Sequence, residues 1–269
     1  MNLEAYQNVL DEVRLDSDRA YLSLQLPIDG YDIDEQKIFS YFQKAQGSRY
    51  WFRSKDDRYN TVGIEYLESI KRDKYSSNAL AIQKSTLYDR IQKVPLEEGM
   101  KSSLNLFGGT RFDDKDTSDE WNDFTMVEFH LPKWQFDLVN KELFYSVPLA
   151  EVEMSTILGA ITGELENIAA VEVKEFEAPQ INMEKDIFPE EWKSLVDHAV
   201  SVLDDTAFRK VVLARQRLLT FKSTIDPLFL LKRLNDETGT YTIYYEKGKS
   251  LFVSKSPEKL FDIQGDTLR

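Results

Sequence analysis

An α+β fold is predicted for this chain, with helices packed on large, mainly antiparallel sheets. Three observations predict it. Strand-like and helix-like stretches alternate along the sequence, apolar runs stay short, and no internal repeat or low-complexity tract breaks the pattern. With 269 residues, 42% hydrophobic and 12% aromatic, the chain can build one large core or two smaller ones.

Residues 20–26 read as the first strand, with Tyr21, Leu22, Leu24 and Leu26 as its apolar positions. Asp32 and Glu35 have capping-box spacing, and Ile38, Phe39 and Phe42 follow at helical spacing. Residues 50–52 and 61–67 read as strands and 80–91 as a helix. Strands are expected at 101–112, 125–137 and 142–147, with Pro132 marking an edge or a bend. Residues 150–165 read as a helix carrying Met154, Leu158, Ile161 and Leu165 on one face. Residues 171–187 are acidic and lack a clear period, which predicts a connector. The expected division is therefore an N-terminal α+β region, 1–187, and a second region, 188–269.

Pro189–Glu190–Glu191 opens the next helix, with Trp192, Leu195, Val196, Ala199, Val200 and Leu203 as its buried stripe and His198 packed beside it. A strand over 210–221 follows. Asp226 is placed to cap a helix that starts at Pro227. Residues 241–245 and 251–254 flank a turn at Gly248 and predict a hairpin. Residues 260–263 begin one more strand, and Glu258 after Pro257 reads as a helix-start acid.

Composition excludes several chemistries. There is no cysteine, so disulfides, zinc–thiolate sites and thiol nucleophiles are ruled out. His130 and His198 are the only histidines, too few for a histidine-rich metal site. The 47 acidic and 34 basic residues give a net charge of −13, which repels nucleic acid and anionic membranes. An anionic ligand would need local positive charge or a metal. Residues 1–13 have no signal-peptide character and no apolar run reaches membrane-span length, which predicts a cytoplasmic protein. Asp113, Asp114, Asp116, Asp119 and Glu120 superficially suggest a calcium loop, but position six lacks Gly, so a solvated turn is expected. Gly108–Gly109 lacks the Lys-Ser/Thr of a phosphate loop, and backbone crowding is its expected role. Trp51, Trp121, Trp134 and Trp192 read as core.

The segment Phe208–Arg209–Lys210–Val211–Val212–Leu213–Ala214–Arg215 carries the main chemical signal. Read as a strand, it places Lys210 among neighbours that look buried. Desolvation favours the neutral amine, and a neutral amine can take a proton from water. A strand-end Lys can also snorkel to solvent, and composition alone favours that reading.

These residues resemble the chorismate-utilising enzymes, whose catalytic domain typically begins with an amphipathic helix and a strand of the form KVVLAR. Three motifs carry the resemblance in order: Gly108–Gly109–Thr110–Arg111–Phe112–Asp113, Lys210 to Arg215, and Ser256–Pro257–Glu258–Lys259–Leu260. Ser254 and Lys255 replace the Gly and Ala usual before the last motif. The resemblance implies a layered α/β sandwich of two similar halves, of which this chain would be the first. Water-adding members resemble this chain in having Lys at position 210, where ammonia-using members typically carry Gln. It therefore implies an isochorismate synthase acting on chorismate. In that reaction Lys210 would activate water for attack at C2, a glutamate would protonate the departing C4 hydroxyl, and Mg²⁺ would grip a substrate carboxylate.

Menaquinone synthesis is the expected pathway. Siderophore-pathway isochorismate synthase and salicylate synthase are the enzyme alternatives, and a non-catalytic truncated binding module is the alternative of another class. The acid, the metal carboxylates and the substrate-holding side chains of the family are expected beyond Arg269. On that basis the chain would be a fragment, inactive alone and prone to self-association, with Lys210 as its one catalytic residue and no metal ligand of its own.

Overall fold

The computed structural model describes residues 3–112, 119–175, 177–205, 209–235, 239–259, 263–264 and 267–268. In chain order the elements are α1 (Leu3–Glu12), β1 (Tyr21–Pro27), α2 (Glu35–Tyr41), β2 (Arg49–Arg53), β3 (Asn60–Arg72), α3 (Ser77–Asp89), β4 (Ile91–Pro95) and β5 (Phe107–Thr110). Then come β6 (Val127–Asp137), β7 (Glu142–Pro148), α4 (Ile157–Ala169), β8 (Ile181–Asp186), α5 (Pro189–Asp205), β9 (Arg217–Phe221) and α6 (Pro227–Asn235). The chain closes with β10 (Tyr241–Lys247), β11 (Ser250–Ser256), β12 (Ile263–Gln264) and β13 (Thr267–Leu268). This is the α+β class expected, and its large sheet is mostly antiparallel.

The chain divides into two compact units, 1–174 with 231–269, and 175–230. The first unit holds a nine-stranded sheet in the order β11-β10-β2-β3-β6-β7-β1-β4, with β5 added on β6. Among the described strands of this sheet only β1 and β4 pair in parallel, and the other pairs are antiparallel. The hairpin β10–β11 joins β2, so this sheet draws on residues from both sides of position 187.

Both faces of the sheet's middle are covered. On one face Leu22, Leu24, Leu26, Phe136, Leu143 and Trp51 are buried. There α2 contributes Phe39, whose ring meets Tyr244 edge-on at 5.0 Å, and Phe42 just past its end packs on Trp134 at 5.7 Å. The buried apolar residues of α4 (Ile157, Leu158, Ile161, Leu165, Ile168) show the apolar stripe expected. The helix begins at Ile157, later than read, so half-buried Met154 lies outside it. On the other face a long segment crosses the sheet. Residues 101–106 are not the expected strand because side chains capture their backbone. Glu142 accepts from the N–H groups of Lys101 and Ser102, and Gln135 accepts from Asn105 N–H. Only β5 remains as strand.

Other expectations shift locally. The cap of α2 is Asp34, whose Oδ1 accepts from Lys37 N–H at 2.8 Å, while Asp32 pairs with the Lys37 ammonium. Pro132 lies inside the sheet, opposite Tyr66 beside the register shift between Tyr66 and Glu68, and in the gap between the β5 and β7 pairings of β6.

In the second unit, β8 pairs antiparallel with β9, so part of the expected connector is a strand. The stripe of α5 is only partly covered: Trp192, Val196 and Ala199 are half-buried, but Leu195 and Val200 are exposed, as is His198. Asp226 caps α6 as read, its Oδ1 accepting from Leu228 N–H at 2.9 Å. Among the described residues no helix follows Pro257, and Glu258 N–H instead meets Ser256 Oγ. Most of the strand expected at 260–263 lies outside the described residues.

Candidate functional site

One place in each unit gathers groups suited to a ligand. In the first unit it begins with β5. Gly108 has φ of 153°, and a Cβ there would lie 2.0 Å from the Glu128 carbonyl oxygen, so only glycine lets β5 approach β6 this closely. Phe107 then lies over Gly63, where a Cβ would come within 2.4 Å of the ring. From this seat an aromatic wall extends: Tyr50 to Phe107 at 4.7 Å, Tyr50 to Tyr245 at 5.6 Å, Phe124 to Tyr245 at 5.4 Å and Trp121 to Phe252 at 5.9 Å between ring centroids. Between these rings and the Gly108–Phe112 backbone is a cleft of about 460 Å³.

Its polar floor is a buried network. The Glu128 carboxylate forms ion pairs with Lys247 and, at 3.5 Å, with Lys71, and it accepts from Thr125 Oγ1 at 2.9 Å. Burial works to raise its pKa, but Lys247, Thr125 and the neighbouring charges hold it below the ordinary carboxylate range. His130 stacks on Tyr66 at 3.9 Å and shares hydrogen bonds with Ser69 Oγ (2.6 Å) and the Tyr245 hydroxyl (2.8 Å). Burial, reinforced by Lys247 and Lys71 against the opposing pull of Glu128, depresses its pKa to about 4, so the ring is neutral near pH 7. Burial pushes the Tyr50 hydroxyl up to about 12 and raises Tyr245 strongly, with the Glu128 charge adding to the latter. Near neutral pH the cleft therefore faces an ionised Glu128 met by two lysine ammoniums and the protonated hydroxyls of Tyr50 and Tyr245, with the neutral His130 ring behind Tyr245 rather than in the lining.

The second unit contains Lys210. Residues 209–216 form no strand, and Lys210, Val211 and Val212 are exposed, Val212 by 79%. The buried strand setting expected for this Lys is absent: residues 210–215 have no ladder partner among the described strands, and the segment is first tied down at Gln216, whose carbonyl accepts from Ile187 N–H at 3.1 Å. The strand begins only at Arg217, where Asp186 and Glu184 of β8 meet the guanidinium at 2.8 and 2.6 Å. Beside this segment Phe188, Trp192 and Leu195 form a shallow apolar groove with Ala214 to Gln216.

Among the described residues no group of three His, Asp or Glu side chains could hold a metal ion. Of the acidic run read as a turn, 113–118 lie outside the described residues, and Asp119 and Glu120 sit on a short 3₁₀ turn. Gly108 has the crowding role expected, whereas Gly109 faces open space. Trp51 and Trp134 are core, but Trp121 lines the cleft and Trp192 the groove. No described helix is long and apolar enough to cross a membrane.

Sequence reasoning missed the buried Arg49–Glu246 pair, in which Arg49 Nη2 and Nε reach the two carboxylate oxygens at 2.6 and 2.9 Å. Tyr244 Oη and Gly47 N–H also donate to this carboxylate. It missed the Glu128–His130 network too. The one available signal was a polar residue at alternate positions of an otherwise apolar strand, and that signal names no partner.

The fold and cleft define an α+β protein built on one large, mostly antiparallel sheet, with α2 and α4 on one face and, on the other, α3 packed against Phe144 and Leu104 beside an aromatic hollow. The chain matches the family described as chorismate binding enzyme over residues 7–269 and belongs to that family. It is 23% identical over 249 residues to isochorismate synthase MenF of Bacillus subtilis (strain 168), covering 88% of this chain and 53% of that protein. A solved structure of MenF, the menaquinone-specific isochorismate synthase from Escherichia coli, shares the fold with a TM-score of 0.58 and 16% identity, over 96% of this chain and 56% of that one. The chain thus spans about half the length of the relatives it matches.

Proposed function

We propose that the complete protein is an isochorismate synthase that converts chorismate to isochorismate for menaquinone synthesis. The observation that carries this reading is the ordered set of family motifs, with Lys210 at the water-adding position, inside a family match that runs from residue 7 to 269. The two MenF relatives support it. In the proposed reaction Lys210 accepts a proton from water, the hydroxide oxygen bonds C2, the ring double bond shifts, and the C4 hydroxyl leaves as water after protonation by an acid. Mg²⁺ belongs to the proposal as a family property, and the described residues hold no cluster fit to bind it. The start of a catalytic domain near residue 188 is likewise proposed, as is a cytoplasmic location.

The test is chromatography of chorismate incubated with the complete protein and Mg²⁺. Isochorismate is the expected product; salicylate with pyruvate would move the reading to salicylate synthase, and no product would support a binding module. Lys210→Ala should lower turnover by roughly a hundredfold to ten-thousandfold, the usual range for general acid–base catalysis. Lys210→Arg keeps the charge and cannot act as a base near neutral pH. An Arg variant close to wild type would end the base assignment.

A further inference from the structure

We infer that the aromatic cleft of the first unit is a binding site for a planar, uncharged aromatic molecule that carries a hydrogen-bond donor, such as a phenol or an indole. The site lies within the nine-stranded sheet and its loops, and Lys210, the base of the proposed isomerisation, is not among its lining residues.

Size comes first. A cleft of about 460 Å³ lies within the range typical of small-ligand sites, roughly 300–1,000 Å³. Shape comes second. Tyr50, Phe124, Tyr245, Trp121 and Phe252 are tilted against one another rather than stacked, with interplanar angles from 37° to 68°. Tilted rings offer both faces and edges to a flat guest, which matches the offset and edge-to-face geometries aromatic pairs prefer. A saturated ring of equal volume cannot use them.

Polar complementarity selects the substituent. Glu128 lines the cleft, stays ionised, and can only accept hydrogen bonds. Its pairing with Lys247 and Lys71 offsets its charge, which removes the pull for a cation. Arg111 is the cation among the lining residues and already has a partner of its own, so an anionic substituent would face the Glu128 carboxylate without an uncommitted counter-charge. A neutral O–H or N–H donor satisfies an acceptor lone pair without either cost. The outer edge of β5 adds backbone groups, because no described strand pairs with that edge. Gly109 leaves it open, since a Cβ there would meet no atom within 4 Å.

The experiment titrates the 269-residue chain with 2-naphthol, 2-naphthoate and cyclohexanol, followed by calorimetry and ligand-observed saturation-transfer NMR. Saturable one-to-one binding of 2-naphthol is expected, with 2-naphthoate at least tenfold weaker and cyclohexanol showing none. Phe252→Ala, which opens one wall, should weaken 2-naphthol about tenfold, near the upper measured worth of an aromatic pair. Gly109→Leu, which fills the open side, should abolish binding. Circular dichroism must show both variants folded; if Phe252→Ala is not, Gly109→Leu and the three-ligand ranking decide. Non-saturable binding, equal affinity for 2-naphthoate, or affinity unchanged in both variants would overturn the assignment.

Discussion

The first unit's central strands and the second unit's β8–β9 hairpin are built from similar residue types but lie in opposite surroundings. In β1 the five residues from Leu22 to Leu26 are all buried, including Ser23, whose hydroxyl meets Ser146 Oγ at 2.9 Å, and Gln25, which donates to Glu142. In β8 and β9 nearly every residue is exposed, including Ile181, Met183, Leu218 and Leu219. The difference teaches that apolar alternation proposes a face but does not supply its cover. Polar residues in β1 are buried because crossing segments bring them partners; apolar residues in β9 are exposed because no described layer lies on them.

The same contrast holds for charge. Arg49 and Glu246 are 2–3% exposed, bidentate, and supported by Gly47 N–H, Tyr244 and the Phe39 carbonyl. Arg217 and Asp186 are 44% and 30% exposed and meet solvent. Removing one partner of the first pair strands the other charge in the core. Glu246→Ala should therefore cost about 3–5 kcal/mol in urea unfolding, the typical price of breaking a buried pair. A loss under about 1 kcal/mol would show that this end of the sheet is wetter than its burial implies.

A smaller effect comes from pH. The His130 value is depressed from 6.5 to about 4, so the unfolded chain binds the extra proton first as pH falls. Stability from this residue is therefore complete above pH 6.5 and is lost progressively toward pH 4. The full loss is about 3 kcal/mol, since each pKa unit corresponds to about 1.4 kcal/mol. Glu128, also depressed, acts in the same direction at the acid end. Denaturant midpoints measured between pH 7 and 4 should fall, and His130→Gln should flatten the slope between pH 6.5 and 5. An unchanged slope would remove His130 as its source.

The smallest effect is expected in the exposed hairpin. Asp186→Ala should leave the urea midpoint close to that of the parent chain, because exposed ion pairs contribute little. A loss comparable to Glu246→Ala would mean that a covering layer lies over β8 and β9 in solution.

The sequence by itself determined the elements with strong local signals. The α4 stripe, the cap at Asp226, the hairpin around Gly248 and the alternation of β1 and β6 follow from side-chain periodicity and backbone chemistry, which neighbours three or four residues away already express. The absence of cysteine and the scarcity of histidine excluded whole reaction classes in the same direct way. Only the tertiary structure decided which faces are covered and which distant residues meet. Arg49 finds Glu246 across 197 positions, and Glu128 finds Lys247 across 119. Residues 101–106 leave the strand pattern because Glu142 and Gln135 take their N–H groups. Lys210 was legible as a motif but not as an environment. Burial depends on the layer packed above a strand, and no local pattern contains that layer.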